Sequence, residues 1–271
     1  MSPSPDTYSH GHHESVLRSH RWRTAENSAA YLLPRLKPQD VVLDVGSGPG
    51  SITLDLASRV TSGRVIGLDR APAAVAAGRE AARAAATSRV DFEVGDVYAL
   101  AHRDATFDVV HAHQVLQHLT DPVAALREMR RVTRPGGIVA VRDADYSAMT
   151  WYPPSEGLDE WRALYREVTE ANHAEADAGR MLHSWVLEAG FDPAGVVPGA
   201  GVWCYATPAD RAWWSGLWAE RCTESNFARQ AMAHGLADDV ALEHLADGWR
   251  QWGTHPDGWF AVLHGEIVAR A

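Results

Sequence analysis

The sequence predicts an α/β protein built on a doubly wound, mostly parallel sheet, with a helical second half. Three observations predict it. From Val41 to Arg142, short, near-continuous apolar strands alternate with longer amphipathic helices. A glycine-rich turn, Gly46-Ser47-Gly48-Pro49-Gly50, follows the first of those strands. Beyond residue 150, helical periodicity replaces the alternation, and ten of the eleven tryptophans lie there. Strands that are apolar on both faces must be covered on both, which is the habit of parallel sheets joined by helices. Right-handed crossovers leave the doubly wound order as the leading topology, with ligands at the carboxyl ends of the strands.

The elements follow in chain order. Tyr8 to Thr24 reads as helical in its later half. Val41 to Val45 is a strand of β-branched residues stopped by glycines, and Gly50 to Val60 a helix. Arg64 to Leu68 is the next strand. Ala71 to Ala86 is a helix whose Pro72 falls in the first turn, where a missing N–H is harmless. Val90 to Val94 and Phe107 to His111 are the third and fourth strands. Asp121-Pro122 supplies an N-cap and an N1 proline for a helix ending near Thr133. Pro135-Gly136-Gly137 turns the chain into a fifth strand, Ile138 to Arg142. Glu156 to Ala189 reads as two helices broken at Gly179, Val196 to Tyr205 as a strand, Pro208 to Trp252 as helical, and Trp259 to Val268 as a closing strand. Three regions result: a helical cap over 1–35, a cofactor-binding core over 36–150, and a helical lid with closing strands over 151–271.

Composition narrows the function. The 271 residues are 46% hydrophobic and 22% charged, enough to bury a sizeable core. A formal charge of −10 opposes binding to a phosphate backbone, so nucleic acid is not the expected partner. Cys204 and Cys222 form no CxxC and no disulfide framework, so a reducing cytoplasm is the expected location. No apolar run reaches membrane-spanning length, and Met1 to His13 is polar and His-rich, unlike a secretory signal. Membrane insertion is not expected either.

Chemistry concentrates at the strand ends. Asp44 and the glycines after it let the backbone turn sharply and approach a ligand, at the start of a helix with unpaired N–H groups. Two cofactor classes compete, a dinucleotide and S-adenosylmethionine (SAM). The dinucleotide fingerprint G-x-G-x-x-G requires glycine where Ser51 stands, and here an acid sits inside the strand just before the turn. Both departures disfavour a nicotinamide cofactor. Asp69 ends the second strand, where a carboxylate can accept from two ribose hydroxyls or cap the helix that follows. Gly95-Asp96-Val97 ends the third, where Asp96 can accept from an adenine amine while the Val97 amide donates to a ring nitrogen.

The segments LDVGSGPG, GLD, GDV, FDVVHAHQVLQHL and REMRRVTRPGG resemble class I SAM-dependent methyltransferases, in particular the small-molecule branch of ubiquinone/menaquinone C-methyltransferases. The resemblance covers Val41 to Arg142 well and the remainder weakly. It implies a Rossmann-like, seven-stranded sheet and methyl transfer from SAM, with S-adenosylhomocysteine (SAH) as product, to an O, C or N nucleophile of a small-molecule acceptor. It places Gly46, Gly48 and Gly50 under the methionine part of the cofactor, with Ser47 in the same cofactor-binding loop and Asp44 orienting it. Asp69 would hold the ribose, and Asp96 and Val97 the adenine; Arg70, read from its position alone, is a solvated side chain that can flank the adenine. His111, Ala112 and Gln114 would meet the amino group, and Arg23 the carboxylate through a bidentate pair. Ser47 is a departure, since the family often has Cys or Gly there. Two rivals remain: a SAM-binding fold running a non-methylating reaction, and a nucleotide-dependent oxidoreductase.

His113 and Asp143 are the candidate catalytic residues. A neutral imidazole at His113 could take a proton from an acceptor hydroxyl near pH 7. Asp143 and Asp145, ending the fifth strand, suit either a base or a loop carboxylate. His118 reads as structural. His10, His12, His13 and His20 cluster without fixed metal-ligand spacing, so no metal is expected. Arg127, Arg130, Arg131 and Arg134 read as the wet face of a helix. Most of the tryptophans would be core or interface anchors. Trp151, Trp213, Trp214 and Trp218 would line a lid suited to an apolar or flat acceptor, and the same half would bury against a second copy in a homodimer.

Overall fold

The computed structural model describes Asp6 and residues 14–271; the histidines at 10, 12 and 13 lie outside the described residues. The chain begins with α1 (Glu14–Trp22) and α2 (Ala25–Ser28), the latter closed by a reciprocal Thr24/Asn27 capping box. Next come β1 (Val41–Val45), α3 (Ser51–Arg59), β2 (Arg64–Asp69), α4 (Pro72–Ala84), β3 (Val90–Val94), β4 (Phe107–His113), α5 (Pro122–Val132) and β5 (Thr133–Ala144). The second half adds β6 (Thr150–Tyr152), α6 (Glu156–Ala171), α7 (Ala178–Glu188), β7 (Val196–Tyr205), α8 (Pro208–Glu224), α9 (Asn226–Ala233), α10 (Asp239–Thr254) and β8 (Trp259–Arg270).

The eight strands form one sheet, in the order β3-β2-β1-β4-β5-β8-β7. Strands β1 to β5 are parallel, and β8 runs antiparallel between β5 and β7. Ile138 to Ala144 face Arg270 to His264, and Thr150 to Tyr152 face Ala261 to Trp259, so β6 continues the β5 row along the same neighbour. Alternate residues sort to opposite faces. Leu43, Ile66, Val110 and Val139 pack with Leu126 and Met129 of α5 and Leu182 of α7. Val42, Val65, Val109 and Ala140 pack with Leu56 of α3, Val75 of α4 and Phe92. A third, aromatic core joins α6, α8 and α10 around Trp161, Trp218 and Trp249.

The fourth strand runs on to His113, two residues beyond its expected end, and three other differences from the sequence expectation have a local reason. Gly179 does not break the helices; the break falls between α6 and α7, and Gly179 sits in the first turn of α7. An added Cβ there would lie 2.8 Å from the Asp143 carbonyl, so the glycine is needed for close helix–strand approach. Pro135-Gly136-Gly137 does not precede the fifth strand but bulges within it, since Thr133 pairs Phe107 and Ile138 pairs Val109. Pro208 to Trp252 is three helices, because Asp238 and Ser225 each cap a new start.

Candidate active site

The strand order reverses beside β1, and the carboxyl ends of β1 to β4 open there onto a cleft of about 650 Å³. That size suits a cofactor-scale ligand. Gly46 (φ +68°), Gly48 (φ +54°) and Gly50 (φ +87°) carry the backbone around the end of β1 in the left-handed region. At Gly46 an added Cβ would overlap Val115, whereas Gly48 looks onto open space with His20 Nδ1 3.4 Å away. Ser47 N–H donates to the Leu68 carbonyl (3.0 Å), tying the loop to β2, and its buried Oγ has no partner.

Asp44 lies under this loop, almost fully buried. Its Oδ2 accepts from Thr53 Oγ1 (2.6 Å) and its Oδ1 from His111 Nδ1 (2.7 Å), so α3, β1 and β4 are pinned together beneath the glycines. Asp69 Oδ2 accepts from Gly48 N–H (2.9 Å) and Oδ1 from Ala71 N–H (2.8 Å). A carboxylate has about four lone-pair positions, so one on each oxygen stays available to a vicinal diol. Asp96 Oδ1 accepts from Tyr98 N–H (3.0 Å), and Asp96 and Val97 line the same cleft. The residues therefore fit the three parts of SAM: glycine backbone for the methionine, Asp69 for the ribose, Asp96 and Val97 for the adenine.

Of the residues expected at the cofactor, Arg23, Asp44, Gly46, Ser47, Gly48, Asp69, Arg70, Asp96, Val97 and Gln114 line this cleft, as does His113. Gly50, His111 and Ala112 do not; His111 and Ala112 are fully buried, and Gly50 packs against Phe92. Asp143 lines neither this cleft nor the aromatic cavity described below. Its Oδ1 accepts from Gln117 N–H (3.1 Å), and burial pushes its carboxyl up to about 7 against the pull of that N–H. Asp145 is held bidentately by Arg180 (2.6 and 2.7 Å) and caps Ala148, a loop carboxylate.

His113 is 5% exposed, and neither ring nitrogen has a partner. Burial, reinforced by Arg23 and Arg142, holds its pKa well below the usual range, so the ring is neutral at pH 7. Beside it runs a chain that sequence reasoning missed. Arg23 Nη2 donates to Gln114 Oε1 (2.6 Å), and Gln114 Nε2 donates to His264 Nε2 (2.9 Å). His264 must then carry its proton on Nδ1, which donates to the Val262 carbonyl (3.2 Å). Burial, with Arg142 and Arg23, also keeps His264 neutral. Gln114 needs this support because it takes φ +53° at the end of β4. The closing strand was legible, but nothing in its alternation says that His264 stands level with Gln114.

Asp6 was missed too, and an isolated acid in a polar segment gives no signal. Its Oδ1 accepts from Thr120 N–H (2.8 Å), Thr120 Oγ1 (2.9 Å) and Tyr98 OH (3.1 Å), and its carbonyl accepts from Arg70 (3.1 Å). Asp6 is thereby held at the cleft wall formed by Arg70 and Asp96. Asp6→Ala is expected to weaken SAH binding about tenfold by speeding dissociation, the scale of one lost charge-assisted anchor; stopped-flow tryptophan fluorescence reads it.

A second, aromatic cavity adjoins the cleft and shares His20, Arg23 and Gln114 with it. Its walls are Trp22, Trp203, Tyr205, Trp213, Trp214 and Trp218, with Tyr146 and Arg221. Trp213, Trp214 and Trp218 stand where the sequence put them; Trp151 instead stacks on Phe260 (5.5 Å) away from the cavity. Among the described residues no group of His, Cys, Asp or Glu could hold a metal ion, and no helix is long and apolar enough to cross a membrane.

A doubly wound sheet with three acid-bearing strand ends around a glycine loop defines a nucleoside-cofactor enzyme. A family profile described as a methyltransferase domain matches residues 36–190, more than half of the chain, and the protein belongs to that family. An uncharacterised methyltransferase of Schizosaccharomyces pombe is 34% identical over 270 residues, spanning 96% of this chain and 95% of its own. A ubiquinone/menaquinone biosynthesis C-methyltransferase of Hydrogenovibrio crunogenus is 30% identical over 179 residues, 60% of this chain and 69% of its own. Phosphoethanolamine N-methyltransferase 2 of Haemonchus contortus, solved in complex with SAM, shares the fold at a TM-score of 0.52 and 18% identity, over 88% of this chain and 51% of that one. The protein is a SAM-dependent methyltransferase.

Proposed function

We propose that the protein transfers the SAM methyl group to an O, C or N nucleophile of a small-molecule metabolite. The observation that carries this is the junction of the two cavities: the cofactor cleft and the aromatic cavity meet at Arg23 and Gln114. The cofactor supplies an electrophilic methyl carbon on a sulfonium. The chain's own residues do the positioning. Asp69 accepts from the ribose hydroxyls, Asp96 and Val97 hold the adenine edge, and the Gly46–Gly48 backbone lies under the methionine part. Arg23, kept in place by Gln114, faces the carboxylate. Aromatic walls exclude water, and holding the acceptor in line supplies most of the acceleration.

His113 is the candidate base. Its neutral ring has an unpartnered nitrogen and lines the cleft, so it can take a proton if the nucleophile starts protonated. Asp143 is assigned to fixing Gln117, and through it the turn after β4, without touching the acceptor. Two free cysteines, one exposed and one buried, suit cytoplasmic chemistry.

Isothermal calorimetry with SAH tests the reading. Micromolar binding is expected, falling at least 100-fold in Asp69→Ala, which removes both the ribose acceptor and the Gly48 tether. Undetectable SAH binding, or equal affinity in the variant, overturns it. Methyl loss from SAM in the presence of an acceptor panel separates transfer from binding alone.

A further inference from the structure

We propose that the aromatic cavity takes a flat acceptor rich in oxygen lone pairs, a hydroxy- or carboxy-substituted aromatic, in the place the Trp22 indole fills here. This rests on the methyl-transfer reading and specifies its acceptor. The first ground is shape. The cavity keeps only about 20 Å³ of free space, room for little more than a water. A flat ring already occupies it: the Trp22 indole lies edge-on to Trp203 (5.2 Å, 89°) and tilted on Tyr205 (5.7 Å) and Trp213 (5.4 Å). Trp22 is 36% exposed, alone among the lining residues in being exposed, although it makes these ring contacts. It is the one wall that can leave without opening the core. An aromatic acceptor that enters as Trp22 swings out would regain the same ring contacts, so the exchange costs little packing.

The second ground is hydrogen-bond polarity. Among the described residues lining the cavity there is no carboxylate; the charged side chains are Arg23 and Arg221, both donors only. Trp214 Nε1–H and the Tyr205 hydroxyl are buried with no partner. Burial raises the Tyr205 pKa, which keeps the phenol protonated and able to donate. Unpartnered donors in a dry wall are costly, and an occupant that brings oxygen lone pairs satisfies them. An ammonium of the same size brings only more donors. Two of the indole faces that would attract it already meet guanidinium groups, Arg23 over Trp203 (5.7 Å) and Arg221 over Trp218 (4.9 Å).

Three probes of one shape test this on SAH-saturated protein: 2-naphthoate, 2-naphthylmethanol and 2-naphthylmethylammonium, titrated by tryptophan quenching and calorimetry. Naphthoate is expected to bind at least tenfold more tightly than the alcohol, and the ammonium more weakly than both. Tyr205→Phe, which deletes an unpartnered hydroxyl and no packing, should weaken naphthoate about fivefold and leave unsubstituted naphthalene unchanged. Trp22→Ala should tighten or accelerate naphthoate binding. Equal or tighter binding of the ammonium, or no response of naphthoate to either variant, overturns the assignment. The SAH titration keeps the two readings apart: failure there sinks methyl transfer, whereas normal SAH binding without naphthoate selectivity sinks only this inference.

Discussion

Gly46→Ala is expected to abolish SAH binding in the working range, a loss above 100-fold, and to lower stability by about 2–4 kcal/mol. Two costs combine. Gly46 takes φ +68°, where alanine is strained, and the added Cβ overlaps the Val115 side chain. Val115 lines the cofactor cleft, so its displacement moves the wall itself. Gly48→Ala separates the effects. That residue also has positive φ, but its Cβ would enter open cleft space, with His20 Nδ1 nearest at 3.4 Å. Stability should then fall by only about 1 kcal/mol, while SAH binding is lost as fully as in Gly46→Ala. Paired calorimetry and urea unfolding on the two variants read this out. Retained SAH binding in Gly48→Ala would mean that the cofactor does not lie on this loop.

The parallel half of the fold was legible because its signals are local. Val41 to Val45 and Val65 to Asp69 are apolar on both faces, and each runs into an acid or glycine that the sheet then aligns. Register does the rest: pairing Val45 with Leu68 and with Ala112 brings Asp69 and His113 to the same edge as the glycine loop. The resemblance supplied what spacing alone could not, namely which part of the cofactor each strand end meets. Gly179 misled because a glycine in a helical pattern reads as a stop, whereas its neighbour is the Gly265 backbone of a strand distant in sequence. The same long range hides the Gln114–His264 bond, whose partners are 150 residues apart. A signal for the aromatic cavity did exist: Trp22 is the only tryptophan before residue 150, and it sits beside Arg23. Its meaning appeared only once β7 and α8 were placed against it.

Acidification should destabilise this protein well before its ordinary carboxylates titrate, Asp143 apart. His113 and His264 are buried and His118 is half-buried, and desolvation holds His113 and His264 well below the usual range and His118 at about 3. In the unfolded chain each has a pKa near ~6.5, so above that pH neither state carries the proton and folding has no proton dependence from them. Below it, only the unfolded chain binds those protons, and each histidine costs about 1.4 kcal/mol per pH unit. Three together cost roughly 4 kcal/mol per unit. Asp143 works the other way. Its carboxyl is raised to about 7, so between there and its unfolded value near ~3.9 the folded state holds the extra proton. Stability from Asp143 therefore rises as pH falls through that window, returning about 1.4 kcal/mol per unit. The net loss between pH 6 and 5 is about 3 kcal/mol, a large part of the 5–15 kcal/mol typical of a folded domain. Urea midpoints measured from pH 8 to 5 should be nearly level down to about pH 6.5 and then drop steeply. His264→Gln should reduce the slope by about 1.4 kcal/mol per unit, and Asp143→Asn should steepen it by a similar amount. A level profile through pH 5 would mean that these rings reach water or a counter-charge in solution, and the dry, neutral site assigned to His113 would go with it.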